Sequence, residues 1–203
     1  EKFGIPTSYL SAEQQQPPIF HSLVRTIVYQ QLAGAAAEAI FTRLLDAVGV
    51  PVPVPLQPNK EGHGRYVSVE QMRSAKFEVV MISDKKKIHC NGVIAGLSEA
   101  KMRAIQSCTE HFSDESLLKG VELNSLDDDT LIRKLTSIRG IGLWSCQMFM
   151  MFHLQRPNIF PLGDLGVRRG VCLFYPDITP KGDSKEAIAA VASAVPAPAH
   201  RQS

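Results

Sequence analysis

The stretch Leu135-Thr136-Ser137-Ile138-Arg139-Gly140-Ile141-Gly142-Leu143-Trp144-Ser145, with Phe160-Pro161-Leu162-Gly163-Asp164-Leu165-Gly166-Val167-Arg168-Arg169 beyond it, decides how this chain of 203 residues is read. The first part places helix-forming residues on both sides of a Gly-x-Gly turn. Glycine supplies a positive φ without a Cβ clash and leaves backbone N–H groups uncovered. Together with the N-terminus of the next helix, such a turn predicts an anion site for one phosphate at Gly140, Ile141 and Gly142. An ordinary αα-hairpin turn carries the same pattern, so the turn alone leaves both readings open. In the second part Asp164 stands just before a helical run from Leu165 to Phe174. A carboxylate there caps the helix and is kept ionised by it.

Charge sharpens the contrast around that Asp. From Leu131 to Pro176 six basic residues (Arg133, Lys134, Arg139, Arg156, Arg168, Arg169) face one acid, Asp164, for a net +5. The rest of the chain carries sixteen basic and nineteen acidic residues, net −3, inside a total of +2. A basic stretch with one carboxylate suits a surface that meets a polyanion, with Arg139, Arg168 and Arg169 as candidate phosphate contacts.

Outward from this centre the pattern is helical. Leu23, Ile27, Ala35, Ala39 and Leu45 recur near a 3.6-residue period, predicting helix from Ile19 to Val48, ended by Gly49. Gly34 and the Ala run after it suggest close helix packing. The Pro-rich stretch from Val50 cannot continue a helix, and 50–66 reads as an exposed loop. Val67–Ala75 predicts a short helix, while Phe77–Ile94 reads either as a short β-hairpin or as an irregular excursion. Further helices are expected from Ser98, a good N-cap, to Phe112, then over 114–119, Asp127–Ser137 and Leu143–Leu154. The last 25 residues are rich in Ala and Pro, with a weak helical pattern over 184–194. The expectation is an all-α fold with short connectors.

Composition excludes several classes. Apolar residues make up 44% of the chain, enough for a packed core. No uncharged run reaches the roughly 20 apolar residues of a membrane span, and no secretory leader pattern opens the sequence. Cys90, Cys108, Cys146 and Cys172 lie 18, 38 and 26 residues apart. That spacing is neither a metal motif nor a disulfide framework, and it points to an intracellular protein without a membrane partner.

The 138–145 and 160–166 segments, read together, resemble the helix-hairpin-helix/Gly-Pro-Asp superfamily of DNA glycosylases, most of all its 3-methyladenine DNA glycosylase II branch. Two further blocks agree. His21-Ser22-Leu23-Val24-Arg25-Thr26-Ile27-Val28-Tyr29-Gln30-Gln31-Leu32-Ala33 is similar to that branch's first helix with its Gln-Gln pair, and Gly96-Leu97-Ser98-Glu99-Ala100-Lys101 to its entry into the middle helices. The resemblance covers 19–49 and 95–176. It implies an N-terminal arm at 1–18, a two-lobed helical glycosylase domain at 19–176 with the helix-hairpin-helix at 131–154 and an irregular insertion at 50–94, and a tail at 177–203.

The resemblance also implies roles. Asp164 matches the catalytic Asp. An alkylated purine is already cationic and leaves without protonation, so one carboxylate suffices to stabilise the oxocarbenium-like sugar or orient water. Trp144 stands where bifunctional relatives carry a Schiff-base Lys, which implies a monofunctional hydrolase without a lyase step. Trp144 and Tyr29 would offer π faces to the flipped cationic base in a cleft between two lobes, whereas Phe149 reads as core. Gln30 and Gln31 would fill the gap left in the duplex. Arg139, Gly140, Ile141, Gly142 and Arg168 would hold phosphate.

No cofactor is implied: the Cys spacing does not suit an iron–sulfur cluster, and the site holds no metal, although a monovalent cation at the hairpin is compatible with the family. The implied partner is double-stranded DNA containing alkylated bases, met by a monomer in the nucleus. Two features depart from the pattern: the insertion over 76–91, and a tail without the aromatic, Arg-rich helix that usually closes the pocket. The second leaves open a helix-hairpin-helix DNA-binding module without base release.

Overall fold

A computed structural model describes residues 17–51, 65–113, 118 and 122–174. The expected arm at 1–18, the loop at 50–66, the helix at 114–119, the tail at 177–203 and its 184–194 helix lie outside the described residues, wholly or nearly so. Among the described residues there are seven α-helices and one three-stranded sheet, in the order α1 (Ile19–Tyr29), α2 (Gly34–Ala47), α3 (Val69–Ser74), β1 (Phe77–Ile82), β2 (Lys85–Cys90), β3 (Val93–Ile94), α4 (Glu99–Ser113), α5 (Asp128–Thr136), α6 (Leu143–Phe152) and α7 (Leu165–Phe174). The fold is mostly helical, as expected. Its contacts divide it into two units, 1–141 and 142–203, with the boundary inside the Gly-x-Gly turn.

In the first unit α1 packs against α2 and α4. The periodic positions Leu23, Val24, Ile27 and Val28 of α1, Phe41, Leu44 and Leu45 of α2, and Ile105 and Cys108 of α4 are buried. Area removed from water at such positions is what stabilises helices too short to persist alone. Buried His21 belongs to this packing: its Nδ1 accepts the Val67 N–H at 3.2 Å, and its ring meets Phe41 and Tyr66 edge-on.

The expected single helix from Ile19 to Val48 is two helices. Gln30 leaves helical geometry (φ −51°, ψ 129°), Gln31 is left-handed (φ +57°), and the chain re-enters helix at Gly34. The period continues across the break because both helices bury their apolar faces. Gly34 does not serve close packing either. Nothing lies within 4 Å of a Cβ built on it, and Ala35 and Ala36 are exposed.

The 76–94 segment is an antiparallel sheet of order β1-β2-β3, so the hairpin alternative is the one the chain adopts. Ser83 and Asp84 (φ +48° and +61°) and Asn91 and Gly92 (φ +49° and +81°) form two-residue turns with both central residues at positive φ, matched to strand twist. Asn91 ties the sheet down by donating from Nδ2 to the Ala47 carbonyl at 2.8 Å. Ile88 and Cys90 are buried, while Val79, Met81 and Ile82 stay exposed.

In the second unit Cys146, Phe149 and Met150 of α6 are buried, and Phe149 stacks on His153 at 4.9 Å, a core role as expected. Helix α7 spans the predicted Leu165–Phe174 but buries none of its residues.

Candidate active site

Asp164 is built by its immediate neighbours. Its own N–H closes a turn onto the Pro161 carbonyl (2.9 Å), and its carbonyl accepts the Arg168 N–H (3.1 Å), the first bond of α7. The carboxylate Oδ1 accepts the Val167 N–H at 2.9 Å, which makes Asp164 the N-cap. Oδ2 accepts the indole Nε1–H of Trp144, also at 2.9 Å. The Val167 N–H first, then the Trp144 indole, hold the carboxyl below the usual Asp range, with Arg168 adding its charge. Gly166 makes room: a Cβ there would stand 3.1 Å from Oδ1. The result is a partly exposed, ionised carboxylate fixed at both oxygens.

Trp144 therefore has a second use beyond the expected ring face. Its edge is committed to Asp164, while the residue stays 39% exposed. The sequence assigns the two residues separate roles, and the bond between them emerges only from the fold.

Tyr29 lies in the other unit, and its surroundings are fully occupied. The Arg25 guanidinium sits 4.0 Å over its ring, Phe41 meets it edge-on at 6.4 Å, and its hydroxyl donates to Glu38. Burial and the Glu38 bond raise its pKa above the ordinary phenol value. A base stacking on Tyr29 would have to share it with Arg25.

The hairpin glycines divide their work. Gly140 is left-handed (φ +82°), and a Cβ on it would fall 2.6 Å from the Ala104 Cβ, so both conformation and space require glycine. Gly142 has φ −87° and open space around it, contrary to the expectation that both glycines serve a positive φ. Its place is the N-cap of α6, where a missing side chain leaves first-turn N–H groups uncovered. Ile141 also differs from its expected role. It is buried and donates its N–H to the Ile138 carbonyl at 3.1 Å, so it does not present that group to a phosphate.

Arg139 is exposed, with its backbone N–H anchored on Ser107 Oγ at 3.1 Å. Arg168 Nε is buried without a hydrogen-bond partner among the described residues. Arg169 is exposed at the same end of α7. Gln30 does not project outward: its Nε2 donates to the Gly140 carbonyl at 2.9 Å, whereas Gln31 and Leu32 form an exposed tip. No group of His, Cys, Asp or Glu among the described residues is placed to hold a metal ion, and no described helix is long and apolar enough to cross a membrane.

Comparison with known proteins bears on the family and the fold. The crystal structure of a DNA-3-methyladenine glycosidase from Bacillus halodurans is 33% identical, with a TM-score of 0.65 over 88% of this chain and 69% of that one. A DNA-3-methyladenine glycosylase 1 from Schizosaccharomyces pombe is 28% identical over 160 residues, 79% of this chain and 58% of its own length. A solved S. pombe 3-methyladenine DNA glycosylase in complex with abasic DNA shares the fold at 22% identity, with a TM-score of 0.56 over 87% of this chain and 82% of that one. The chain spans about half the length of the curated relatives it matches. A family model described as the HhH-GPD superfamily base excision DNA repair protein matches residues 24–194, and this chain belongs to that superfamily.

Proposed function

We propose that the chain is a monofunctional DNA N-glycosylase of base-excision repair, which hydrolyses the N-glycosidic bond of alkylated purines such as 3-methyladenine and 7-methylguanine and leaves an abasic site. The observation that carries this reading is the Asp164 carboxylate, ionised and fixed by the Val167 N–H and the Trp144 indole at 2.9 Å each. As the cationic base departs, positive charge grows on the sugar, and a pre-oriented carboxylate stabilises it without reorganising. Water then takes the base's place. Position 144 carries an indole, which forms no imine, so no strand-cleaving lyase step follows.

In this proposal Trp144 keeps a ring face for the electron-poor base, and Tyr29 serves with the guanidinium it already carries. Gln31 fills the gap left by the flipped base. A phosphate is met by the N–H groups of Gly142 and the first turn of α6, with Arg139 three residues before Gly142 and Arg168 in the first turn of α7 as further basic contacts. The partner is double-stranded DNA, the protein acts as a monomer, and the setting is the nucleus. A monovalent cation at the hairpin would share the Ile138 and Gly140 carbonyls with the Ile141 and Gln30 hydrogen bonds already on them, and no step of the reaction uses it.

Release of methylated purine from alkylated duplex DNA tests the reading. Asp164→Asn is expected to abolish release and to retain duplex binding; release unchanged in that variant refutes the role of Asp164. One second reading is a DNA-binding module without base release. It predicts salt-sensitive binding and no release by the unsubstituted protein.

A further inference from the structure

Helix α1 ends with no basic residue of its own in its last turn. The charge that its terminal carbonyls favour comes from α4 instead. Lys101 Nζ donates to the Val28 carbonyl at 2.7 Å and to the Gln30 carbonyl at 2.8 Å. The ammonium is part-buried, and burial pulls its pKa below the ordinary Lys value. Its two carbonyl contacts offset that cost. The lysine is placed by the motif that precedes it. Gly96 turns at φ +78°, Leu97 is buried, and Ser98 caps α4 by accepting the Lys101 N–H on Oγ at 3.3 Å. On the other side of the same helix end, the Gln30 amide reaches the Gly140 carbonyl at 2.9 Å. Between these anchors Gln31 is held left-handed at φ +57°, a conformation uncommon for a side chain of its kind.

We propose that Lys101 and Gln30 are positioning residues that lock the exposed Gln31 tip to the start of the hairpin at Gly140, so that the gap-filling side chain meets DNA already ordered. This rests on the glycosylase reading above. It assigns Gln30 to the protein side of the contact and leaves Gln31 as the side chain that enters the gap.

The test is the ratio of affinities for a duplex holding a tetrahydrofuran abasic-site analogue and for the same duplex undamaged, with melting temperature followed in parallel. Gln30→Met keeps length and removes the donor. It is expected to lower the ratio roughly threefold to tenfold, the worth of one hydrogen bond. Lys101→Met is expected to do the same, and Gln31→Ala to lower the ratio on its own. Because Gln30 acts through Gln31, the Gln30→Met/Gln31→Ala double variant should lose no more than the larger single loss. A Gln30→Met ratio equal to the unsubstituted value, or additive losses in the double variant, overturns the inference and leaves the glycosylase reading standing. Absence of any preference for the abasic duplex in the unsubstituted protein overturns both. Should Lys101→Met lower the melting temperature sharply, the Gln30 pair decides alone.

Discussion

Replacing Trp144 by Phe removes one hydrogen bond and keeps an aromatic ring. The bond lost is Nε1–H to Asp164 Oδ2, 2.9 Å long, the second of the two that hold the carboxylate ionised. The sign follows directly. Asp164 sits below its ordinary value, so its ionised form is complete above that range and is lost as pH falls through the folded value. Without the indole the value rises, and the Val167 N–H keeps it from returning fully to the ordinary one. The acid limb of base release should therefore move to higher pH. Near neutrality the carboxylate is ionised in both proteins, and what remains is lost orientation. Hydrogen bonds to charged groups contribute about 1.5–3 kcal/mol when sheltered. Both partners here are substantially exposed, so about 1 kcal/mol is appropriate, or roughly a fivefold slower release. Single-turnover release of methylated purine over a pH series reads both effects. Titration of the Asp164 side-chain carbon by NMR reads the first without turnover. An unchanged titration midpoint and an unchanged acid limb in the Phe variant would show that the indole does not hold the carboxylate, and the argument for a fixed anion would fail.

The two hairpin glycines should respond in opposite ways. Gly140→Ala forces a side chain into a left-handed residue, costing about 1–2 kcal/mol, and adds an overlap with Ala104 of a kind that costs roughly 1–3 kcal/mol. Urea unfolding should show the combined loss, and adding Ala104→Gly should recover only the overlap; full stability in the single variant refutes the close approach. Gly142→Ala, in open space at φ −87°, meets neither strain nor overlap and should cost only the difference between Gly and Ala as N-cap, about 1 kcal/mol or less. It should nevertheless weaken duplex binding at low salt, because its Cβ stands where a phosphate would approach the α6 N–H groups. Equal duplex affinity before and after would move the anion site elsewhere.

Much of the fold was legible because the signals were local. Ser98 caps α4 and Asp127 caps α5 through its bond from the Thr130 N–H at 2.8 Å, both where the helix-start pattern put them. Helix α7 matches its predicted span because Asp164 and the following periodicity agree. The break between α1 and α2 was not legible, since hydrophobic period survives a four-residue interruption when both helices face one core. The choice between hairpin and irregular excursion over Phe77–Ile94 is legible at Asn91-Gly92, a strong two-residue hairpin signal. At the site, residue type identified Asp164 and Trp144. The bond between them, and the engagement of Ile141 and Gln30 by backbone, depend on three-dimensional placement that no spacing rule conveys.

Within the first unit, the 21–33 block, the 96–101 entry to α4 and the start of the hairpin up to Ile141 meet physically. The end of α1 is clamped by Lys101 and tied by Gln30 to Gly140, Gly140 fits only because Ala104 of α4 is small, and the Arg139 backbone rests on Ser107 of the same helix. Helix α4 is thus the common support for the Gln31 tip and for the start of the hairpin. That gives the Gly-Leu-Ser-x-x-Lys entry a physical role although none of its side chains needs to touch a base. It also explains how the 76–94 sheet can be inserted without disturbing the machinery. The sheet fastens to the Ala47 carbonyl at the end of α2 and to Glu99 at the first turn of α4, whereas the knot around Gln31 uses the end of α1, Lys101, Ala104 and Ser107 of α4 and the start of the hairpin. A change at Asn91 should therefore loosen the sheet while leaving the preference for abasic DNA intact, whereas a larger side chain at Ala104 should displace Gly140 and remove that preference.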